Sequence, residues 1–127
     1  MSSLTTPSVA RLSVAFVFLY HGLVPKLLLM HPSEIALVQA TPTFGMEPEL
    51  LLRAAGIAEV LLAALVLVFW KKPWPLYGAA LALAGLLGAT LLFAPEISVA
   101  AFNPISLSVT TFALVWIALQ RDRTHVS

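Results

Sequence analysis

Four long apolar runs, separated by prolines and charge pairs, set the plan of this chain. They cover about residues 8–29, 49–70, 74–94 and 102–120. At about 1.5 Å of rise per residue, a helix of roughly twenty residues crosses the ~30 Å hydrocarbon core of a bilayer. Between the first two runs lies the longest connection, residues 30–48, where Pro32, Pro42, Gly45 and Pro48 stop any long helix. Its Ser33–Ala40 piece predicts one short helix, with Ser33 as N-cap and with Ile35, Leu37 and Val38 lying on the membrane surface. This loop is the expected lid over whatever the bundle encloses.

Lys71-Lys72-Pro73 leaves room only for a tight turn, so the second and third spans are expected to be antiparallel neighbours. Gly78, Ala82, Gly85 and Ala89 give the third span a stripe of small residues that lets helix backbones approach, within the bundle or in a homo-oligomer. Asn103 is the expected N-cap of the last span, and Pro104 sits in its first turn, where a missing donor costs nothing. Pro25 predicts a kink near the end of the first span. Met1 to about Pro7 is polar and expected to be loose. The first run continues past Tyr20-His21 to Leu29 with no A-x-A-like site behind it, so it is expected to be a span rather than a removed leader.

The pattern predicts an all-α fold: one integral membrane domain over residues 1–127, an antiparallel four-transmembrane-helix bundle. Composition agrees, with 60% hydrophobic and 10% charged residues, where soluble domains carry about a quarter charged. A net charge of +1 offers no basic patch for nucleic acid. The chain has no cysteine, which excludes disulfide exchange, thiolate–metal sites and Fe–S ligation by its own residues. Four spans place Arg11, Lys71, Lys72, Arg121 and Arg123 on one side and Lys26 and Arg53 on the other, with Glu34, Glu47, Glu49 and Glu96 near the latter. The positive-inside rule then predicts both termini in the cytoplasm of an inner-membrane protein.

The unusual residue is Glu59. It lies roughly 14 Å along its helix, too deep for a short carboxylate stem to reach water. Ionisable groups at such depth are costly unless they are paired or face a cavity, and they mark functional sites. His21 lies roughly 12 Å deep from the same side, close to the level of Glu59. Lys26 and Arg53 sit about a turn inside that surface, and Asn103 flanks it. An outward-facing polar pocket is therefore expected, with Tyr20, His21, Lys26, Arg53, Glu59 and Asn103 as ligand-binding candidates. Thr90 lies in a span, and Ser106, Ser108, Thr110 and Thr111 make a thin polar track along the last helix.

Plainer readings stand beside this one. Lys26 and Arg53 read equally well as snorkelling anchors, Tyr20 as an interfacial aromatic, and His21 as a core histidine bonded to Glu59. Arg53 and Glu59 are about 120° apart on an ideal helix, which strains an intrahelical pair and favours a partner from another helix. A neutral histidine beside a buried carboxylate is also a competent proton relay, so His21 and Glu59 are the catalytic candidates. No metal site is expected: His31 and His125 fall on opposite sides, leaving His21 alone in the membrane.

Tyr20–Leu28 (YHGLVPKLL), Arg53–Leu67 (RAAGIAEVLLAALVL) and Phe102–Leu119 (FNPISLSVTTFALVWIAL) together resemble the DoxX-like family of small four-helix membrane proteins. The H-G-x-x-P-K element, with Glu34 in the loop, resembles the branch found joined to, or encoded beside, short-chain dehydrogenase-type proteins. The wider family is named for a subunit of a thiosulfate:quinone oxidoreductase. The resemblance implies a quinone-proximal or redox-partner role and assigns no catalytic residues. Taken with the shared depth of the polar residues, it leads to the expectation that His21 and Glu59 bind and protonate a small ligand such as a quinone head, with Lys26 and Arg53 supplying positive charge and a redox protein as partner. Two other readings stay open: a binding or transport protein for a small molecule or lipid, and a structural anchor subunit.

Overall fold

The structure, a computed structural model, describes residues 4–124, with side chains through residue 120. Among the described residues it is all helical: α1 (Thr6–His21) running into a π-helical segment (Gly22–Leu28), α2 (Pro32–Ala40), α3 (Pro48–Val68), α4 (Trp74–Phe93), a 3-10 turn (Pro95–Val99) and α5 (Pro104–Thr124). Proline stands in the first turn of every α-helix, where its fixed φ favours the helix and its absent N–H is not needed. The first helix begins earlier than the sequence suggests, because the Thr5 hydroxyl caps it by accepting from the Ser8 N–H at 3.3 Å. The N-cap of α2 is His31 rather than Ser33: His31 Nδ1 takes the Ser33 N–H at 3.3 Å. Asn103 caps α5 as expected, its Oδ1 accepting from the Ser106 N–H at 2.9 Å.

Thr6–Leu28, Pro48–Val68 and Trp74–Phe93 are long and apolar enough to cross a membrane, and the apolar part of α5, Pro104–Gln120, is shorter. Each carries large apolar side chains on its outside, among them Phe16, Leu61, Leu81 and Val109. Apolar surface on that scale fits a lipid environment.

The helix α1 sits between α3 and α5, and α5 packs on α4. The contact between α3 and α4 is slighter, although a tight turn joins them. The small-residue stripe explains part of this: Gly78 meets Leu62 of α3, while Gly85 has open space beside it. The stripe is therefore not one continuous packing seam.

The buried core belongs to one end of the bundle, the end that carries Lys71 and Lys72. Ala10, Val14, Ala15 and Phe18 of α1 meet Ala63 and Val66 of α3, Leu76, Ala79 and Leu83 of α4, and Val115 and Ala118 of α5. In lipid the gain from such a seam is close van der Waals packing rather than removal from water. Arg11 closes the same end from inside. It is only 2% exposed, and its guanidinium donates to the carbonyls of Val66 (2.9 Å), Phe69 (2.6 Å) and Lys72 (2.8 Å). These lie at the C-terminal end of α3 and the turn beyond it, where carbonyls lack helical partners and the dipole favours a cation. Arg11 thus serves as a buried tie between α1 and α3, where the sequence counted it only among the charges on one side of the bundle.

At the other end α1 and α3 touch through glycine. A Cβ on Gly22 would lie 2.6 Å from the Gly56 carbonyl oxygen, and one on Gly56 would lie 2.9 Å from that of Gly22. Only backbone hydrogen fits there. Beyond this crossing the chain winds as a π-helix through Gly22–Leu28, with Pro25 inside it. An α-helical turn would press the Pro25 ring against the carbonyl of His21, and the wider i→i+5 turn accommodates it.

Candidate functional site

The π turn decides what faces inward. Residues five apart stack in a π-helix, so Lys26 comes under His21 instead of pointing well away from it. Its ammonium lies 3.4 Å from the His21 carbonyl oxygen. The close approach of Gly22 and Gly56 then brings Glu59, three residues on from Gly56, against the same ammonium: Lys26 Nζ and Glu59 Oε2 are 3.2 Å apart. On the other side Glu34 of α2 places its Oε2 3.3 Å from Nζ. One buried cation therefore joins α1, α3 and α2.

Burial makes this cluster unusual. Lys26 is 4% exposed and Glu59 is 6% exposed, while Glu34 is half-buried. A buried carboxylate and ammonium hold their charges only together, since each alone would carry an uncompensated desolvation cost. The Lys26–Glu59 contact is an ion contact without hydrogen-bond alignment, for Glu59 Oε2 is buried and accepts no aligned hydrogen bond. Two carboxylates thus share one ammonium.

Lys26, Glu34 and Glu59 line a cavity of about 810 Å³. It lies between α1, α4 and α5, and α2 and the 3-10 turn contribute to its wall. Much of the lining is apolar, including Leu83, Leu86, Leu87 and Leu107. Thr90, Ser106, Ser108 and Thr110 add hydroxyls, although the Thr90 and Thr110 hydroxyls also donate back to the Leu86 and Ser106 carbonyls. Leu37 of α2 lines the cavity as well, so that helix turns an apolar side chain inward instead of laying all three across the membrane surface.

Five of the six sequence candidates meet here. Tyr20, His21, Lys26, Glu59 and Asn103 all line the cavity. His21 is half-buried, and Tyr20 is 49% exposed, with its ring 5.9 Å from that of His21. Arg53 is the exception. It is exposed and points its Nη2 toward Met30 Sδ at 3.9 Å, because six residues of α-helix turn it about 120° away from Glu59. It is neither a cavity residue nor the partner of Glu59, and no bond links His21 to Glu59 in its place. Lys26 takes that role, and the anchor reading of Lys26 is corrected by its burial. His125 lies outside the described residues.

The sequence left Glu34 among loop charges, yet it completes the cluster. The available signal was charge balance: a buried Glu59 demands a cation, and a buried Lys26 within reach of a second carboxylate attracts it. Gly22 and Gly56 were visible only as members of short motifs, and their close approach became legible once the two helices were placed together.

A family model described as the DoxX-like family matches residues 15–116 of the chain. No curated protein and no solved structure matches it.

Proposed function

The chain belongs to the DoxX-like family, and from that premise we propose that it is a membrane subunit whose cavity takes the head of a quinone on behalf of a redox protein partner. The observation that carries this reading is the cavity itself. Its volume of about 810 Å³ falls within the ~300–1,000 Å³ usual for small-molecule sites, and it combines an apolar wall with a few converging polar groups. An isoprenoid-bearing ring meets both requirements: leucines of α4 and α5 for its apolar body, and the His21–Lys26–Glu59 wall for its head. His21 and Glu59 are the groups able to exchange a proton with that head. Lys26 holds the two carboxylates in place. With no cysteine in the chain, there is no thiol couple to carry electrons, and the partner supplies the redox centre.

In the same proposal the bundle spans the inner (plasma) membrane four times. The fourth span is α5, whose apolar part rises about 25 Å and packs along α1 and α4. Both termini lie in the cytoplasm. With Lys26 neutralised and Arg11 buried, the contrast is between Lys71, Lys72, Arg121 and Arg123 at one end and Arg53 at the other, which favours that orientation. The cysteine-free chain makes Lys72→Cys a clean reporter. It should react with an impermeant maleimide in inverted vesicles and stay unlabelled in intact cells; labelling of intact cells would reverse the topology.

The ligand reading is tested by solvent extraction of protein purified in mild detergent from quinone-containing membranes. About one quinone per chain is expected, and Leu87→Trp, which fills the cavity, should purify folded and largely empty. A quinone-free wild type, or equal retention by Leu87→Trp, contradicts the reading.

A further inference from the structure

One hydroxyl on the cavity wall is left without the partner its neighbours have. A serine or threonine on a helix in apolar surroundings commonly turns its hydroxyl back to a carbonyl three or four residues earlier. Three that line the cavity do so. Thr90 donates to the Leu86 carbonyl at 2.9 Å, Thr110 to that of Ser106 at 2.8 Å, and Ser106 to that of Asn103 at 3.3 Å. Ser108 lines the same cavity and is only 5% exposed. Among the described residues its hydroxyl has no hydrogen-bond partner. Nor is it sealed in protein, as Ser98 Oγ is. A buried hydroxyl without a partner is costly, and a back-bond like those of its neighbours would relieve the cost. Ser108 instead keeps a free hydrogen at the cavity wall.

A ring carbonyl oxygen is an acceptor only, so it needs a donor whose hydrogen is not already given. On the α4 and α5 walls the hydroxyl hydrogens of Thr90, Ser106 and Thr110 go to backbone, and that of Ser108 does not. We propose that Ser108 is a ligand-binding residue, its hydroxyl donating to a ring oxygen of the quinone from the α5 wall. The inference rests on the quinone reading given above. It adds a contact from α5 to those of the His21–Lys26–Glu59 wall, so that the head is held from more than one helix. It also singles one residue out of the polar track of the last helix, where spacing alone ranks Ser106, Ser108 and Thr110 alike. Only binding is involved, and no covalent bond changes.

The test is equilibrium dialysis of the full-length protein in lipid nanodiscs against a short-chain benzoquinone, with melting temperatures taken without ligand. Ser108→Ala should weaken binding about tenfold, the loss expected when a buried carbonyl is left without its donor. Its melting temperature should not fall, since the hydroxyl removed bonds to nothing in the free protein. Thr90→Val is the matched control. It is as deeply buried, at 3% exposure, keeps the shape, and removes a hydroxyl whose hydrogen is already given, so it should bind within about twofold of the wild type. A loss below about threefold in Ser108→Ala overturns the inference. So does an equal loss in Thr90→Val, because the wall would then act through its general polarity. A lower melting temperature for Ser108→Ala also overturns it, by giving the hydroxyl a structural role. If the wild type binds no benzoquinone, the quinone reading itself fails and this inference goes with it.

Discussion

Replacing Lys26 by Met should destabilise the protein by about 3–5 kcal/mol, the usual cost of stranding one member of a buried ion pair. The residue is 4% exposed and its ammonium stands between two carboxylates at 3.2 and 3.3 Å. Without it, Glu59 remains deep in a helix bundle with no counter-charge. Glu34 has an escape, being on a short helix with no fully buried residue, and can turn to water. Most of the loss therefore comes from Glu59, and a second substitution shows it: Lys26→Met with Glu59→Leu removes the pair as a unit and should restore most of the stability. Unfolding in detergent, followed by circular dichroism against temperature, reads both. Equal loss in the single and double variants would mean that Lys26 acts through packing of its stem and not through its charge.

The second large effect belongs to Gly56. A leucine there would drive its Cβ to within 2.9 Å of the Gly22 carbonyl and of Leu27 Cγ, and no rotamer relieves a Cβ clash with backbone. Overpacking of this kind costs about 1–3 kcal/mol, and Gly56→Leu belongs at the upper end because the obstacle is main chain. The consequence reaches the site. As α1 and α3 move apart, Lys26 and Glu59 separate, so the variant should lose ligand binding along with stability. Gly85→Ala is the matched control. Nothing lies near its added Cβ, and replacing an interior helical glycine by alanine gains up to about 1 kcal/mol. If the two substitutions shifted the melting temperature alike, the glycine crossing would have no special standing.

Much of the architecture could be read from the chain because the signals are local. Prolines in first helical turns, the Asn103 cap and the Lys71-Lys72-Pro73 turn fix the helix limits to within a few residues, and the depth of Glu59 announces a polar site before any partner is known. The partner itself was not legible. Reading Lys26 as a snorkelling anchor assumes an α-helical register through Pro25, whereas the π turn swings the side chain inward beneath His21. Glu34 depends on where α2 lies, and that follows a backbone reversal at Met30, whose φ of 46° is rarely adopted by a residue with a side chain. The shared depth of His21 and Glu59 pointed to a polar pocket, but the size of the cavity depends on how α1, α4 and α5 pack around it, a property of packing between helices. The burial of Arg11 was hidden for a related reason. Near a span end it reads as an interfacial charge, and only the carbonyls of another helix's C-terminus make its burial favourable.

The proposed place of the quinone, inside the bundle against the Lys26–Glu59 wall, is tested by photolabelling with an azidoquinone in native membranes. The labels should map by mass spectrometry to the cavity faces of residues 17–29 and 103–110 and should fall by about tenfold in Leu87→Trp. Labels confined to lipid-facing positions such as Leu81 and Leu92, and undiminished in that variant, would contradict it.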